Sequence, residues 1–95
     1  MPRFYLYILK NNNNELYIGQ TIDLRRRLLE HSNGVGAKFT KDSKCCRLVY
    51  LEIYRDRKSV MLRENQLKKW SRAKKLALIS GDAQELKRLS RSKGK

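Results

Sequence analysis

The feature that most constrains the fold is a pair of short apolar runs on either side of four consecutive asparagines. The runs Phe4–Leu9 and Leu16–Gln20 both have the composition of β-strands. The asparagines between them, Asn11–Asn14, tolerate the left-handed backbone that tight turns require. The sequence therefore predicts a β-hairpin at the start of a chain whose 95 residues suit one domain.

The rest of the chain predicts one more strand and a series of helices. Asp23, Asp56 and Ser71 can each cap the helix that follows, and Gly81 can end the last of these helices. An α+β domain follows, with a three-stranded antiparallel sheet flanked by helices in the order β-β-α-β-α-α. We expect it to span residues 1–80, with 81–95 as a basic, mobile C-terminal extension. The elements are strands over 4–9, 16–20 and 48–54 and helices over 24–32, 58–70 and 72–79.

The charge of the chain indicates its partner. Lys and Arg number 23 against nine Asp and Glu, a net charge of +14, which favours a polyanion such as nucleic acid. A solubility surface, a ribosomal-type basic protein and an anionic membrane surface are the alternatives. No run approaches transmembrane length and no signal peptide opens the chain. With adjacent Cys45 and Cys46 expected to be reduced, we predict a cytoplasmic protein without a membrane partner.

Tyrosines concentrate on the predicted hairpin. If the hairpin closes symmetrically around the asparagines, Tyr7 lies opposite Tyr17 and Tyr5 opposite Gly19. Such neighbours can simply be cross-strand aromatic packing, worth ~0.2–1 kcal/mol per pair. They can equally line a site, since Gly19 leaves open space beside them.

The first predicted helix carries Arg27 and His31 one turn apart, on one edge of its apolar arc. Arg27 can act at a site or can cover the core with its aliphatic stem. His31 can act at a site or can interact favourably with the helix C-terminus. The apolar arc consists of Leu24, Leu28 and Leu29, with Arg26 and Glu30 facing away from it.

The second predicted helix carries a carboxylate on its buried side. Glu64 lies within the arc formed by Val60, Leu67 and Trp70. A buried carboxylate is unfavourable unless a cation or hydrogen bonds meet it. Glu64 is therefore either the partner of an arginine or a metal ligand that faces a cleft.

These residues together resemble the signature of the GIY-YIG nucleases, in particular the small stand-alone bacterial members of the UPF0213-like group. The resemblance rests on Tyr5-Leu6-Tyr7, on Tyr17-Ile18-Gly19, and on Arg27 and Glu64 downstream. Tyr5 stands where the family motif begins with glycine. The segments that strengthen the resemblance, which covers roughly residues 3–80, are 36–40, 48–50 and 67–72.

The resemblance implies a metal-dependent endonuclease that hydrolyses phosphodiester bonds with one Mg²⁺ or Mn²⁺. It implies that Glu64 binds the metal ion, Arg27 the phosphate, and that Tyr17 orients water or phosphate. Tyr7 would activate water, either as a phenolate favoured by surrounding cations or by relay through His31. The implied catalytic residues are Tyr7, Tyr17, Arg27, His31 and Glu64.

The implied partner is nucleic acid, DNA in preference to RNA. Several family members have an asparagine downstream of the glutamate, and Asn65 is too close to Glu64 to be its counterpart. A nucleic-acid-binding module with weak or no catalysis on the same fold is therefore the alternative function. The residues expected to contact nucleic acid are Lys38, Lys41, Lys44, Lys68, Lys69, Arg72, Lys74 and Lys75.

Overall fold

The structure is a computed structural model that describes residues 3–32 and 46–93. Three strands and four helices follow one another in the expected order, with one helix more at the end, so the α+β prediction is confirmed. The elements are β1 (Phe4–Asn11), β2 (Leu16–Thr21), α1 (Leu24–Ser32), β3 (Cys46–Tyr54), α2 (Arg57–Lys68), α3 (Arg72–Ser80) and α4 (Ala83–Lys93).

The three strands form one antiparallel sheet in the order β2-β1-β3, with β1 in the centre. The turn between β1 and β2 is shorter than the asparagine run. Asn14 N–H donates to the Asn11 carbonyl at 3.0 Å, and Asn14 has a left-handed backbone with φ 63°. The Asn11 side-chain oxygen accepts from the backbone N–H groups of Asn13 and Glu15 at 3.0 and 2.9 Å. Asn11 N–H also donates to the Glu15 carbonyl at 3.1 Å, so these two residues close a turn of three residues, 12–14, and β2 begins one residue later.

This turn changes the register that symmetric closure predicts. Tyr7 pairs with Gly19 and Leu9 with Tyr17, so the prediction that Tyr7 lies opposite Tyr17 is wrong. Asn11 belongs to β1 rather than to the loop, which moves each pairing by two residues along β2. A shift of two residues keeps every side chain on its face, so Tyr7 and Tyr17 remain diagonal neighbours.

The core lies between one face of the sheet and α2. Leu6 and Ile8 of β1 contribute to it, and Val60 and Leu67 of α2 pack against them, all four with no exposed surface. Ile18 of β2 joins this cluster with 6% of its surface exposed. Val60 and Leu67 are thus buried as expected, whereas Trp70 follows the end of α2 and is half-buried against the core. This arc packs α2 across all three strands.

Apolar side chains of β3 and α1 are open to solvent. Leu51 and Ile53 of β3 are 37% and 53% exposed, while Tyr50 and Tyr54 pack against the core on the opposite face. Leu29 of α1 is 57% exposed, so its placement in the apolar arc is wrong. The helix turns its Leu24 and Leu28 edge inwards, and Leu29 lies outside that edge.

The helix ends agree with the expected caps. The side chains of Asp23, Asp56 and Ser71 accept from the N–H groups of Arg26, Ser59 and Lys74 at 3.1, 2.7 and 3.2 Å. Gly81 ends α3 in a left-handed conformation with φ 74°. The next helix, α4, packs against α3, and the division of the chain at residue 80 stays a prediction. No described helix is both long and apolar enough to cross a bilayer.

Candidate active site

Tyr7 reaches the edge of the sheet because its partner on β2 is a glycine. The Tyr7 side chain is almost fully buried, with 1% of its surface exposed. A Cβ atom on Gly19 would lie 2.5 Å from the Tyr7 hydroxyl oxygen and 2.7 Å from its ring carbon Cζ. Only glycine therefore lets the ring lie across β2, which is an edge strand. The Tyr17 ring lies beside it, with centroids 6.3 Å apart and planes tilted by 39°.

Glu64 approaches the same strand from α2. Its side chain is 15% exposed, and Lys68 Nζ lies 2.9 Å from its Oε2 atom. Gln20 Nε2 donates a hydrogen bond to its Oε1 atom at 3.1 Å. Gln20 follows Gly19 on β2, so the two residues face opposite sides of the sheet. Glu64 and Tyr7 thus contact β2 on opposite faces of the sheet, and the candidate site includes both sides of this edge strand.

Arg27 lies beside a cleft of about 300 Å³ at the start of α1. Its Nη1 atom is 3.3 Å from Glu30 Oε1, and its side chain is 41% exposed. Glu30 also accepts from Arg26 Nε at 3.2 Å. The Glu30 carboxylate thus pairs with the two arginines of the preceding turn, which agrees with the expectation that Arg26 and Glu30 face away from the apolar arc. The cleft is lined by Thr21, Ile22, Asp23, Arg26, Arg27 and Glu30.

The charges of these residues act on the Tyr7 hydroxyl. Burial raises the pKa of Tyr7 well above its usual range, Tyr17 raises it further, and Arg27 lowers it. Glu64 and Glu30 raise the pKa as well. Arg27, Glu64 and Tyr17 thus lie close enough to influence the pKa of one hydroxyl group. A raised pKa favours the neutral phenol, which counts against the phenolate form of the sequence-based hypothesis.

Several predicted residues fall outside the described part of the chain. Lys38, Lys41 and Lys44 belong to the segment 33–45, which is not described. The backbone of His31 lies in α1, one turn after Arg27, but its side chain is also outside the described residues. The roles assigned to these residues therefore stay predictions.

Basic residues of α2 and α3 make specific contacts. The guanidinium of Arg72 donates to the backbone carbonyl of Asn14 and ties the start of α3 to the hairpin turn. Lys74 Nζ lies 4.1 Å from the centroid of the Trp70 ring, a cation–π contact. Lys69, the C-cap residue that follows α2, is exposed, and Lys75 on α3 is half-buried. Arg72 therefore has a structural role beside any contact with nucleic acid.

A second carboxylate, on β3, has the arginine partner that we considered for Glu64. Glu52 Oε1 accepts from Arg63 Nε at 3.0 Å and Glu52 Oε2 from Arg63 Nη2 at 2.9 Å. Tyr54 donates to Oε1 at 2.7 Å, and Tyr50 donates to Oε2. Burial opposes ionisation, but these hydrogen bonds and the charge of Arg63 hold the pKa of Glu52 below its usual range. The partner of Glu64 is instead a lysine.

The sequence contained signals for two contacts that we missed. Strand alternation places Gln20 on the same face as the core residue Ile18, towards α2. Lys68 follows Glu64 by four residues, a spacing at which helix side chains meet. Both residues hold Glu64, and neither contact was anticipated.

The Glu64 carboxylate is compatible with a divalent ion that is shared with substrate, provided that the Lys68 ammonium gives way. Among the described residues no three His, Cys, Asp or Glu side chains come together to form a metal site. Mg²⁺, however, typically keeps several waters and is held by one or two carboxylates together with substrate phosphates. A single carboxylate with 15% of its side chain exposed is compatible with that mode of binding, and a closed protein cage is not needed.

A comparison with protein families identifies the domain. The model of the GIY-YIG catalytic domain matches residues 3–77 of this chain. The chain belongs to the GIY-YIG family. The resemblance seen in the sequence is confirmed, and membership implies a nuclease-type domain whose substrate is nucleic acid.

Relatives support this family membership over nearly the whole chain. A UPF0213 protein of Staphylococcus saprophyticus is 41% identical over 80 residues, which is 84% of this chain and 98% of the relative. Among solved structures, the UPF0213 protein BH0048 from Bacillus halodurans is 36% identical, with 82% and 83% of the two chains covered and a TM-score of 0.56. The protein EF2693 from E. faecalis is 28% identical, with 87% and 88% covered and a TM-score of 0.62. The GIY-YIG fold is thus shared with two solution NMR structures.

Proposed function

We propose that this GIY-YIG protein is an endonuclease that cleaves nucleic acid with one bound Mg²⁺ or Mn²⁺ ion. The observation that carries the proposal is the packing of Tyr17 beside Tyr7 over Gly19, with Arg27 and Glu64 near enough to act on the pKa of the Tyr7 hydroxyl. A carboxylate, an arginine and a phenol in one region of the surface are groups that phosphodiester hydrolysis needs. Aromatic packing alone explains the two tyrosines but does not explain the two charged groups.

Each residue has a separate role in this proposal. Glu64 holds the divalent ion, which when bound neutralises the phosphate and stabilises the leaving oxygen. Arg27 donates bidentately to a phosphate oxygen as negative charge grows in the transition state. Tyr7, as a neutral phenol, orients the attacking water by hydrogen bonding, and Tyr17 orients water or phosphate beside it. His31 accepts the proton of this water, directly or through Tyr7.

Binding of the substrate rests on charge rather than on base contacts. The net charge of +14 supports attachment to the phosphate backbone, DNA in preference to RNA. We propose two groups of lysines for this role. One group lies at the end of α2 and in α3 and consists of Lys68, Lys69, Lys74 and Lys75. The other lies in the segment 33–45 and consists of Lys38, Lys41 and Lys44. Arg72 contributes its charge, although its guanidinium also holds the hairpin turn.

Glu64→Gln is the decisive variant, because it removes the charge of the metal ligand and conserves its size. We expect Mg²⁺- or Mn²⁺-dependent cleavage of plasmid, single-stranded DNA or RNA by the wild-type protein. The variant should cleave about 10²- to 10³-fold more slowly, the range for the loss of one electrostatic contact at a transition state. Binding to the same substrate without metal should persist or tighten, because a negative charge facing phosphate is gone.

Glu85→Gln is the matched control. Glu85 is also a helical glutamate paired with a nearby cation, Arg88, but it lies on α4. Glu85→Gln should cleave at the wild-type rate. Because both variants change the net charge equally, this result would show that the position of the charge matters. Cleavage that continues in Glu64→Gln, or that needs no divalent ion, would contradict the proposal.

The alternative is a GIY-YIG module that binds nucleic acid without cleaving it. Two observations favour this alternative: Lys68 occupies Oε2 of Glu64, and Asn65 is an exposed residue of α2. Salt-dependent binding with no cleavage on any of the three substrates, at any concentration of either ion, would support it.

A further inference from the structure

The two oxygens of Glu64 have different partners. Oε1 accepts from Gln20 Nε2, an amide on the rigid edge strand β2. Oε2 lies 2.9 Å from Lys68 Nζ, which is carried by a flexible side chain with 54% of its surface exposed. The amide fixes the orientation of the carboxylate, and the ammonium covers the oxygen that remains. Oε2 is therefore the atom through which Glu64 can bind a metal ion, and Lys68 is the group already there.

We propose that Lys68 is an exchangeable counter-ion of Glu64, a contact that inhibits the site until a divalent ion replaces it. The inference rests on the proposed function, because it assumes that Glu64 is the metal ligand. An ammonium and a divalent cation repel each other and compete for the same carboxylate oxygen. Metal binding and the Glu64–Lys68 ion pair therefore exclude one another.

Release of Lys68 has a consequence for substrate binding. The lysine stem has four rotatable carbons, so its ammonium can leave Glu64 without movement of α2. Freed from Glu64, it keeps its positive charge at the rim of the site, within reach of a phosphate oxygen. The divalent ion and the nucleic-acid backbone then bind cooperatively, because each one favours the state in which Lys68 is released.

Lys68→Gln tests the competition directly, in the absence of nucleic acid. Binding of Mn²⁺ to the full chain can be followed by electron paramagnetic resonance, which detects the free ion. We expect the variant to bind Mn²⁺ about 2- to 5-fold more tightly, the range that corresponds to removal of one partly exposed ion pair. Lys69→Gln is the control, since Lys69 is the exposed neighbour and forms no ion pair in the part of the chain that is described. It should change the affinity less than about twofold.

A second measurement uses an oligonucleotide with an uncleavable backbone. Lys68→Gln should weaken its binding more in the presence of Mn²⁺ than in its absence, because only the ion releases the ammonium. Lys69→Gln should weaken binding to the same extent in both conditions. Equal effects of the two variants in both measurements would overturn the inference.

The outcomes also separate this inference from the proposed function. If Mn²⁺ binds and Glu64→Gln abolishes this binding, but Lys68→Gln leaves the affinity unchanged, the exchange mechanism is wrong and the metal site stands. If neither the wild-type protein nor Lys68→Gln binds Mn²⁺ through Glu64, both proposals fail.

Discussion

Two glutamates, one on β3 and one on α2, are almost equally buried but have different hydrogen-bond partners. The side chain of Glu52 on β3 is 17% exposed and that of Glu64 is 15% exposed. Glu52 receives a bidentate arginine and two tyrosine hydroxyls, so both of its oxygens are saturated. Glu64 receives one amide and one exposed ammonium among the described residues.

The difference shows that burial alone does not distinguish a structural carboxylate from a functional one. A carboxylate has about four acceptor sites. At Glu52 these sites are filled by groups from β3 and α2, which join the strand to the helix. At Glu64, acceptor sites remain for a ligand, and the Lys68 ammonium can leave. The number and mobility of the donors favour a structural role for the β3 flank, the group around Glu52 and Arg63. They support the role that we propose for the β2 flank, the group around Gly19, Arg27 and Glu64.

The largest expected effect is on cleavage, when an arginine of one flank is compared with an arginine of the other. Arg27→Lys keeps the charge but loses the planar fork, so single-turnover cleavage should fall by about 10² to 10³. Binding without metal should change by less than about threefold, because phosphate attraction depends mainly on charge. Arg63→Lys should leave cleavage by the folded protein unchanged. Equal losses of cleavage and binding in Arg27→Lys would reduce Arg27 to an ordinary phosphate contact.

The second comparison concerns stability. Glu52→Gln leaves Arg63, which is 22% exposed, without its charged partner and should lower the free energy of unfolding by about 2–4 kcal/mol. Glu64→Gln should change it by less than about 1 kcal/mol, because its partner Lys68 can turn into solvent. Urea denaturation of the metal-free proteins measures both changes. A larger loss in Glu64→Gln than in Glu52→Gln would reverse the assignment of the two flanks.

Gly19 tests the geometry of the β2 flank. Gly19→Ala places a methyl group 2.5 Å from the Tyr7 hydroxyl, so the ring must move, at about 1–3 kcal/mol of stability. Cleavage should fall as well, because Tyr7 leaves its position. Gly81→Ala introduces a residue at φ 74°, with no atom within 4 Å of the new methyl group, and should cost about 1–2 kcal/mol without affecting cleavage. Unchanged cleavage in Gly19→Ala would show that the position of Tyr7 is unimportant.

The smallest effect is the pH dependence of the β3 flank. The pKa of Glu52 is lower in the folded than in the unfolded chain, so its contribution is complete above its ordinary pKa. That contribution is lost as the pH falls through the lowered value. The unfolding free energies of the wild-type protein and Glu52→Gln should therefore converge in acid. Parallel curves down to low pH would contradict the role given to the Arg63 network.

At the alkaline end the same network predicts a second loss. Burial, followed by the hydrogen bond to Glu52, raises the pKa of Tyr50 to about 12. The stability that depends on the neutral hydroxyl is complete below the ordinary tyrosine pKa and declines as the pH approaches this raised value. Tyr50→Phe should remove this dependence in the same denaturation series.

Local features of the chain were predictable because they depend on a few adjacent residues. Asp56 and Ser71 cap their helices through N–H groups three residues ahead, and the spacing alone specifies these contacts. Strand alternation likewise determined which residues share a face, including Tyr7 and Tyr17. The family signature was readable for the same reason, since Tyr7, Tyr17 and Arg27 occur within a short segment.

Contacts between distant segments depended on the tertiary structure. Four consecutive asparagines offer several turns of similar energy, and the side-chain hydrogen bonds of Asn11 select the one that sets the register. Glu64 meets Gln20 across 44 residues, and Glu52 rather than Glu64 obtains Arg63. The sequence by itself determined which groups the protein carries and on which faces they lie. Only packing decided which carboxylate is saturated and which can accept a ligand, because the pairing of charges depends on distances that sequence spacing does not contain.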